Sequence, residues 1–232
     1  GYSFQGYYDQ PSGTGNQYYD AEMESTATWD KAQDTVLYAK WTAQVSFDSQ
    51  SATTASNPAT KTVVYTAGTD TIDTLPTPPQ RTNYTFRGWW TEASGGGSEF
   101  TASTAVTGDI TVYAKWTAQV SFDSQSATTA SNPATKTVVY TAGTDTIDAL
   151  PTAPVRTGYT FRGWWTEASG GGTEFTSATE VTGNITVYVK WVSVVSFDGQ
   201  GATTAADPSS KDVTKTDGTD TLGTLPTAPQ KT

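Results

Sequence analysis

Along most of this chain apolar and polar residues alternate with a period of two, the mark of strands buried on one face. In Val45–Gln50, Val45 and Phe47 fall on one face while Ser46 and Asp48 fall on the other. Lys61–Thr66 (KTVVYT) is rich in β-branched residues and stops at Ala67-Gly68, a turn signal. Tyr84 and Phe86 alternate with Thr85 and Arg87, and Gly88 admits a bulge ahead of Trp89-Trp90. Ile110, Val112, Ala114 and Trp116 share one face of a last strand whose other face carries Thr111, Tyr113 and Lys115. Ser94-Gly95-Gly96-Gly97 and Thr107-Gly108-Asp109 read as turns. Leu75-Pro76 and Pro78-Pro79 read as an extended crossover, because each proline disfavours helix in the residue before it. The pattern leaves room for no more than one helical turn, near Thr69–Leu75.

This set of elements recurs. VSFDSQSATTASNPATKTVVYTAGTDTID runs from Val45 and again from Val120, a step of 75 residues, and a diverged copy opens at Val195. Residues 45–119 and 120–194 differ at 13 of 75 positions. The opening GYSFQGYY matches NYTFRGWW at Asn83 and GYTFRGWW at Gly158, and the closing LPTAPQKT matches LPTPPQRT and LPTAPVRT. Residues 1–44 therefore read as the C-terminal half of a repeat, with an insertion around Tyr18–Thr28. Residues 45–119 and 120–194 read as complete repeats, and 195–232 as an N-terminal half. Two readings of the halves stay open. Either the chain is cut from a longer array, or halves of neighbouring molecules complete each other by strand addition. Only Thr117-Ala118-Gln119 separates the last strand of one repeat from the first of the next, which predicts a stiff joint.

A unit of 75 residues is close to the lower limit for an independent core, so its aromatics matter disproportionately. Tyr84, Phe86, one of the paired tryptophans, Phe100 and Trp116 are the expected core, each burying about 150–250 Å². Composition supports a folded β protein: 12% of residues are aromatic, only 16% are charged, and about a fifth are Thr. The formal charge of −10 disfavours nucleic acid and anionic membrane surfaces. Cys and His are absent, which removes thiol and imidazole nucleophiles, Ser-His-Asp relays, thiolate zinc sites and disulfides. No apolar run approaches the roughly 20 residues of a membrane-spanning helix, and no signal peptide is read at the opening. Missing Cys and a single Met suit an oxidising exterior.

The segments GYTFRGWW, GGGTEF and VTGNITVYVKW, with the VSFD opening and the PxRTGYTF connector, resemble the Listeria–Bacteroides repeat, the internalin B-repeat family of bacterial surface proteins. The likeness extends over both complete units and both halves. The resemblance implies a mainly β fold of tandem small β-grasp (ubiquitin-like) domains with the usual helix reduced or absent. It also implies tandem display in an extracellular, cell-surface or cell-wall protein that serves as stalk or adhesin, and it carries over no catalytic residue. The Thr/Ala-rich stretch Ser51–Ala59 departs from the Gly-Gly turns usual in the family.

Four tryptophans form the candidate contact surface: Trp89, Trp90, Trp164 and Trp165. Neighbours in a strand point to opposite faces, so one of each pair is core and the other is free to stack on a sugar, anchor a protein or pack at a joint. Tyr7-Tyr8 replaces the pair in the opening half, which fits tolerance for any large aromatic. Asp70, Asp73, Asp145 and Asp148 form a D-x-x-D pattern in Thr-rich loops that falls short of the six to eight oxygens calcium needs, so they read as solvated charges. Glu92 and Glu99 imitate a carboxylate pair with nothing to organise them. Lys115 and Lys190 raise the idea of a Lys–Asn cross-link, but alternation turns them away from Trp116 and Trp191 toward solvent. Asn83-Tyr84-Thr85 and Asn184-Ile185-Thr186 satisfy the glycosylation sequon, as chance allows in a Thr-rich chain.

No catalytic, cofactor or metal site is assigned, and no cofactor is expected. The expected function is a non-enzymatic extracellular repeat array acting as stalk, spacer or fibre. Its expected partners are neighbouring repeats of the same or an adjacent chain, with no nucleic acid and no membrane insertion. The alternatives are an adhesin binding host glycan or protein through exposed aromatics, and a subunit of a filament completed by half-domain pairing.

Overall fold

The computed structural model describes residues 1–216, 218 and 220–232. Among them the regular structure is strand, with single 3-10 turns at Pro11–Gly13, Ala93–Gly95 and Ala168–Gly170 and no α-helix. The chain divides into two compact units, Gly1–Thr117 with Val139–Ala142, and Ala118–Val138 with Gly143–Thr232. Each unit holds most of one 75-residue step, 45–119 or 120–194, together with the flanking residues 1–44 or 195–232.

In the first unit the strands are β1 (Ser3–Tyr8), β2 (Gln17–Tyr19), β3 (Tyr38–Asp48), β4 (Thr60–Val64), β5 (Thr85–Glu92), β6 (Gly96–Phe100) and the opening of β7 (Ile110–Asp123). Strand β3 is long enough to pair with three others. Its first part pairs antiparallel with β1, Phe4 opposite Trp41 and Tyr8 opposite Tyr38. Its middle pairs antiparallel with β4, Thr42 opposite Val64 and Ser46 opposite Thr60. Its end, Val45–Asp48, lies parallel to Ile110–Tyr113 of β7. Strand β7 then pairs antiparallel with β5, and β5 with β6. The order β4-β3-β7-β5-β6 puts a parallel pair between two hairpins, an arrangement compatible with a β-grasp.

The second unit repeats this plan with β8 (Thr135–Val139), β9 (Thr160–Glu167), β10 (Gly171–Phe175), β11 (Ile185–Ser196) and β12 (Ser210–Thr214). Ile185–Tyr188 of β11 lies parallel to Val120–Asp123. Strand β11 also pairs antiparallel with β9 and with β12.

Alternation sets the core. Val45, Phe47, Val112, Ala114 and Trp116 are sealed, and Val63, Ile72, Trp89, Phe100 and Val106 close round them. Their rings meet edge to face, which suits the quadrupoles of aromatic rings. The Phe47–Trp89 centroids stand 4.9 Å apart, Phe86–Trp89 5.4 Å and Phe86–Trp116 5.6 Å. The same geometry recurs in the second unit, with Phe122–Trp164 at 5.0 Å and Phe161–Trp164 at 5.7 Å. Tyr84 and Phe86, expected inside, are only half-buried and pack on the margin. Gly88 provides the bulge: the register shifts between Phe86 and Trp89, and φ of +93° there is a conformation L side chains rarely adopt.

The helical turn expected near Thr69–Leu75 does not form. Asp70 prevents it by holding its own loop. Its carboxylate accepts from Thr66 N at 3.1 Å and Thr66 Oγ1 at 2.5 Å, and its carbonyl accepts from Val106 N at 2.8 Å. These bonds replace the i→i−4 ladder a helix would need. The Thr/Ala-rich stretch is likewise organised across the unit, through bridges of Thr54 to Gln80 and of Asn57 to Thr77 in the proline-rich crossover.

Candidate functional site

Adjacent positions on β5 send the two indoles to opposite faces, as a pleated strand requires. Trp89 is buried in the core and Trp90 is half-buried on the outer face. Trp164 and Trp165 divide in the same way. Each outer indole is held. Trp90 Nε1 donates to Arg87 O at 3.2 Å, and Trp165 Nε1 to Arg162 O at 3.0 Å. Lys115 Nζ lies 4.0 Å from the Trp90 ring centroid and Lys190 Nζ 4.3 Å from that of Trp165. These lysines do lie on the face opposite Trp116 and Trp191, but they cover an indole instead of extending into solvent. The stem of Lys115 is pressed from its other side by the 3-10 turn. A Cβ on Gly95 would meet Lys115 Cδ at 2.5 Å, and φ of +73° independently favours glycine there. Lys40 over Tyr8 at 5.1 Å, beside Gly13, is the opening-half version of the same brace.

The braces on Trp90 and Trp165 fall inside the segments that compare with known proteins. Residues 44–115 and 119–190 each match the model of the Listeria-Bacteroides repeat domain, together more than half of the chain. The chain belongs to this family. It is 31% identical over 206 residues to a protein of Evansella cellulosilytica that carries the provisional name Gly-rich membrane protein, covering 78% of this chain and 21% of that one. It is 34% identical over 132 residues to internalin H of Listeria monocytogenes, covering 54% of this chain and 22% of that one. The chain thus spans about a fifth of the length of these relatives. No solved structure matches it.

Each Listeria–Bacteroides repeat is tied end to end by a buried indole. Trp116 Nε1 donates to Ser49 O at 3.1 Å, and Trp191 Nε1 to Gln125 O at 3.0 Å, so the last strand grips the loop after the first. Where one repeat meets the next, tyrosines stack. Tyr2 meets Tyr65 edge to face with centroids 5.2 Å apart, and Tyr2 O–H donates to Val106 O at 2.8 Å. Burial, followed by the nearby Asp70 carboxylate and the Tyr65 phenol, pushes the Tyr2 phenol above its ordinary pKa. Tyr84 meets Tyr140 at 5.8 Å, and the Arg81 guanidinium lies 4.2 Å from the first ring and 3.5 Å from the second. The residue pattern held a signal for this joint, since Tyr65, Tyr140 and Lys215 stand one repeat step apart.

The acidic loops need correction. Asp70 and Asp145 are buried, not solvated, and organise their loops; the Asp145 carbonyl accepts from Val181 N at 2.7 Å. Asp148 is exposed and accepts from Lys136 Nζ at 2.5 Å, which holds its carboxyl below the usual range. Glu92 and Glu99 occupy separate rungs of the β5–β6 hairpin, opposite Gly96 and Trp90. Asn184 caps a strand, its Oδ1 accepting from Gln119 N at 2.8 Å. Among the described residues no cluster of three or more acidic side chains is gathered to hold a metal ion, and no helix is long and apolar enough to cross a membrane.

Proposed function

We propose that each Listeria–Bacteroides repeat of this chain is a tension-bearing spacer of a bacterial surface protein, a structural role without catalysis exercised outside the cell. One observation carries it. The first and last strands of each repeat are adjacent and parallel, Val45–Asp48 beside Ile110–Tyr113 and Val120–Asp123 beside Ile185–Tyr188. A repeat is entered at the start of the first of these strands and left beyond the end of the second. Pulling on the two ends therefore slides the strands past each other, and the rungs between them are loaded together rather than one after another. The sealed Trp116 and its bond to Ser49 O span the same seam. Kinship with internalin H and with proteins provisionally named for the membrane supports the surface setting.

Single-molecule pulling tests the reading, and the absence of Cys lets handles be placed at will. Force applied through the chain ends should unfold a complete repeat at several times the force needed when handles on Asp48→Cys and Tyr113→Cys peel the same seam from one end. Equal forces in the two geometries would remove the case for a load-bearing role.

A further inference from the structure

The outer face of β3 is the floor of a polar groove of about 650 Å³, within the range of about 300–1,000 Å³ usual for ligand sites. The groove lies on the other face of that strand from Trp41, Val45 and Phe47. Three rungs of side chains line it, Ser3 opposite Thr42, Thr62 opposite Gln44 and Thr111 opposite Ser46. Lys40 and Tyr8 close one end. From Lys40 to Ser46 the floor runs about 20 Å at about 3.3 Å per residue, so it suits an extended ligand better than a compact one. In the later repeats an arginine reaches across the equivalent rungs. Arg87 Nε donates to Thr117 Oγ1 at 3.1 Å, and Arg162 forks onto the Asp212 carboxylate. Thr117 and Asp212 are the counterparts of Thr42 and Thr62, and Gln5 stands where both arginines stand. The groove is therefore left open by a residue choice. Thr42 is only 9% exposed, yet its hydroxyl has no hydrogen-bond partner among the described residues. Asp109 also lines the groove, where the next repeat has Asn184. Its Oδ1 accepts from Gln44 N at 2.8 Å, and its Oδ2 has no partner among the described residues.

We propose that this groove binds a neutral oligosaccharide. Its lining supplies what the neighbouring hydroxyls of a sugar ring need: short hydroxyls that donate and accept, side-chain amides that do both, and a carboxylate that accepts. Charge points to the same class. Among the lining residues Lys40 is the one cation and Asp109 the one anion, so the groove carries no net charge to select an ionic ligand. The −10 charge of the whole chain disfavours anions further. A peptide is the poorer occupant. Strand β3 already pairs with β1, β4 and β7 along this stretch and offers no open ladder to another strand. A sugar hydroxyl would also give the Thr42 hydroxyl the partner it lacks, offsetting the cost of its burial. Binding here is independent of how the repeats bear load.

Titration of the full chain with neutral trisaccharides of hexose and of N-acetylhexosamine, followed by amide shifts in NMR spectra, tests it. At least one of them should move the amides of Gln44, Thr62 and Thr111. Gln5→Arg installs the residue of the later repeats and Asp109→Asn that of the next one, so both variants should keep their strands, as circular dichroism checks. Each should weaken binding about tenfold or more, the cost of filling the groove or of losing one charge-assisted hydrogen bond. Trp90→Ala removes an indole outside the groove and should leave the affinity unchanged. If Gln5→Arg loses its strands, Thr111→Arg fills the groove from β7 in its place. Silence from every neutral trisaccharide at millimolar concentration would overturn the proposal. So would binding that survives either the arginine or Asp109→Asn, or that Trp90→Ala abolishes.

Discussion

The joint after β7 and the joint after β11 hold equivalent residues together by different chemistry. In the first unit Tyr140 N donates to Trp116 O at 3.0 Å, and the Tyr140 ring stacks on Tyr84 with Arg81 against both. In the second unit Lys215 N makes the same backbone bond, to Trp191 O at 2.8 Å, but the side chain pairs with Asp220 instead. Arg87 of the first unit donates to the hydroxyl of Thr117 at 3.1 Å, whereas Arg162 of the second forks onto the Asp212 carboxylate at 2.9 and 3.3 Å. The backbone geometry of the joint therefore belongs to the repeat, and the side chains that hold it are interchangeable. Stacked rings keep their attraction in salt and acid, while half-exposed ion pairs are screened and titrate.

The largest expected effect tests what the joints share. Trp116→Ala and Trp191→Ala should each cost about 3–5 kcal/mol in chemical denaturation, because both indoles are sealed. Unequal costs would show that the joint chemistry reaches into the core. Next comes Tyr140→Ala, which removes a ring from Tyr84 and a face from Arg81 and should cost about 2 kcal/mol, independent of salt. Lys215→Tyr transplants the aromatic joint. Tyr159 already carries Arg156 at 4.4 Å, so the new ring should complete the stack and raise stability by about 0.5 kcal/mol net of the lost ion pair.

The smallest effects are electrostatic. Asp212→Asn should cost about 0.5 kcal/mol at low salt and nothing measurable at high salt. Lys215, together with the Thr216 hydroxyl and amide, lowers the Asp220 carboxyl to about 2. An unfolded Asp titrates near 3.9 by comparison, so on acidification the unfolded state takes up protons first. The contribution of this group is complete above pH of about 4 and is lost as pH falls toward 2. Hydrogen-exchange protection of the Lys215 amide should drop over that window while that of the Tyr140 amide holds. The opening half has its own acid-sensitive group: Lys31 and the Asn16 amide lower Asp9, and the Tyr18 hydroxyl followed by Lys31 lowers Asp30.

Much of this could be read from residue order. Period-two alternation put Val45 with Phe47, and Ile110 with Val112, Ala114 and Trp116, on common faces, and all of these but the half-buried Ile110 are core. Gly88 announced its bulge, and the repeated motifs announced the family. Trp89 and Trp90 had to part company, but which of them would be core depended on the bulge and on Phe47 lying across the sheet. The buried roles of Asp70 and Asp145 were illegible for a related reason. A carboxylate in a Thr-rich loop looks solvated until a distant backbone amide, Val106 N or Val181 N, is brought to close the loop over it.

By itself the sequence determined the strands, the 75-residue step and the aromatic content of each unit, because these follow from local alternation and from exact recurrence. The pairing of strands was decided only in three dimensions. The first and last strands of a repeat lie more than 60 residues apart, and their parallel contact depends on the hairpins and the crossover between them. Trp41 and Trp116 show the difference most plainly. The motif around them is nearly the same, yet Trp116 is sealed and Trp41 is 40% exposed, a difference that residue order alone does not contain.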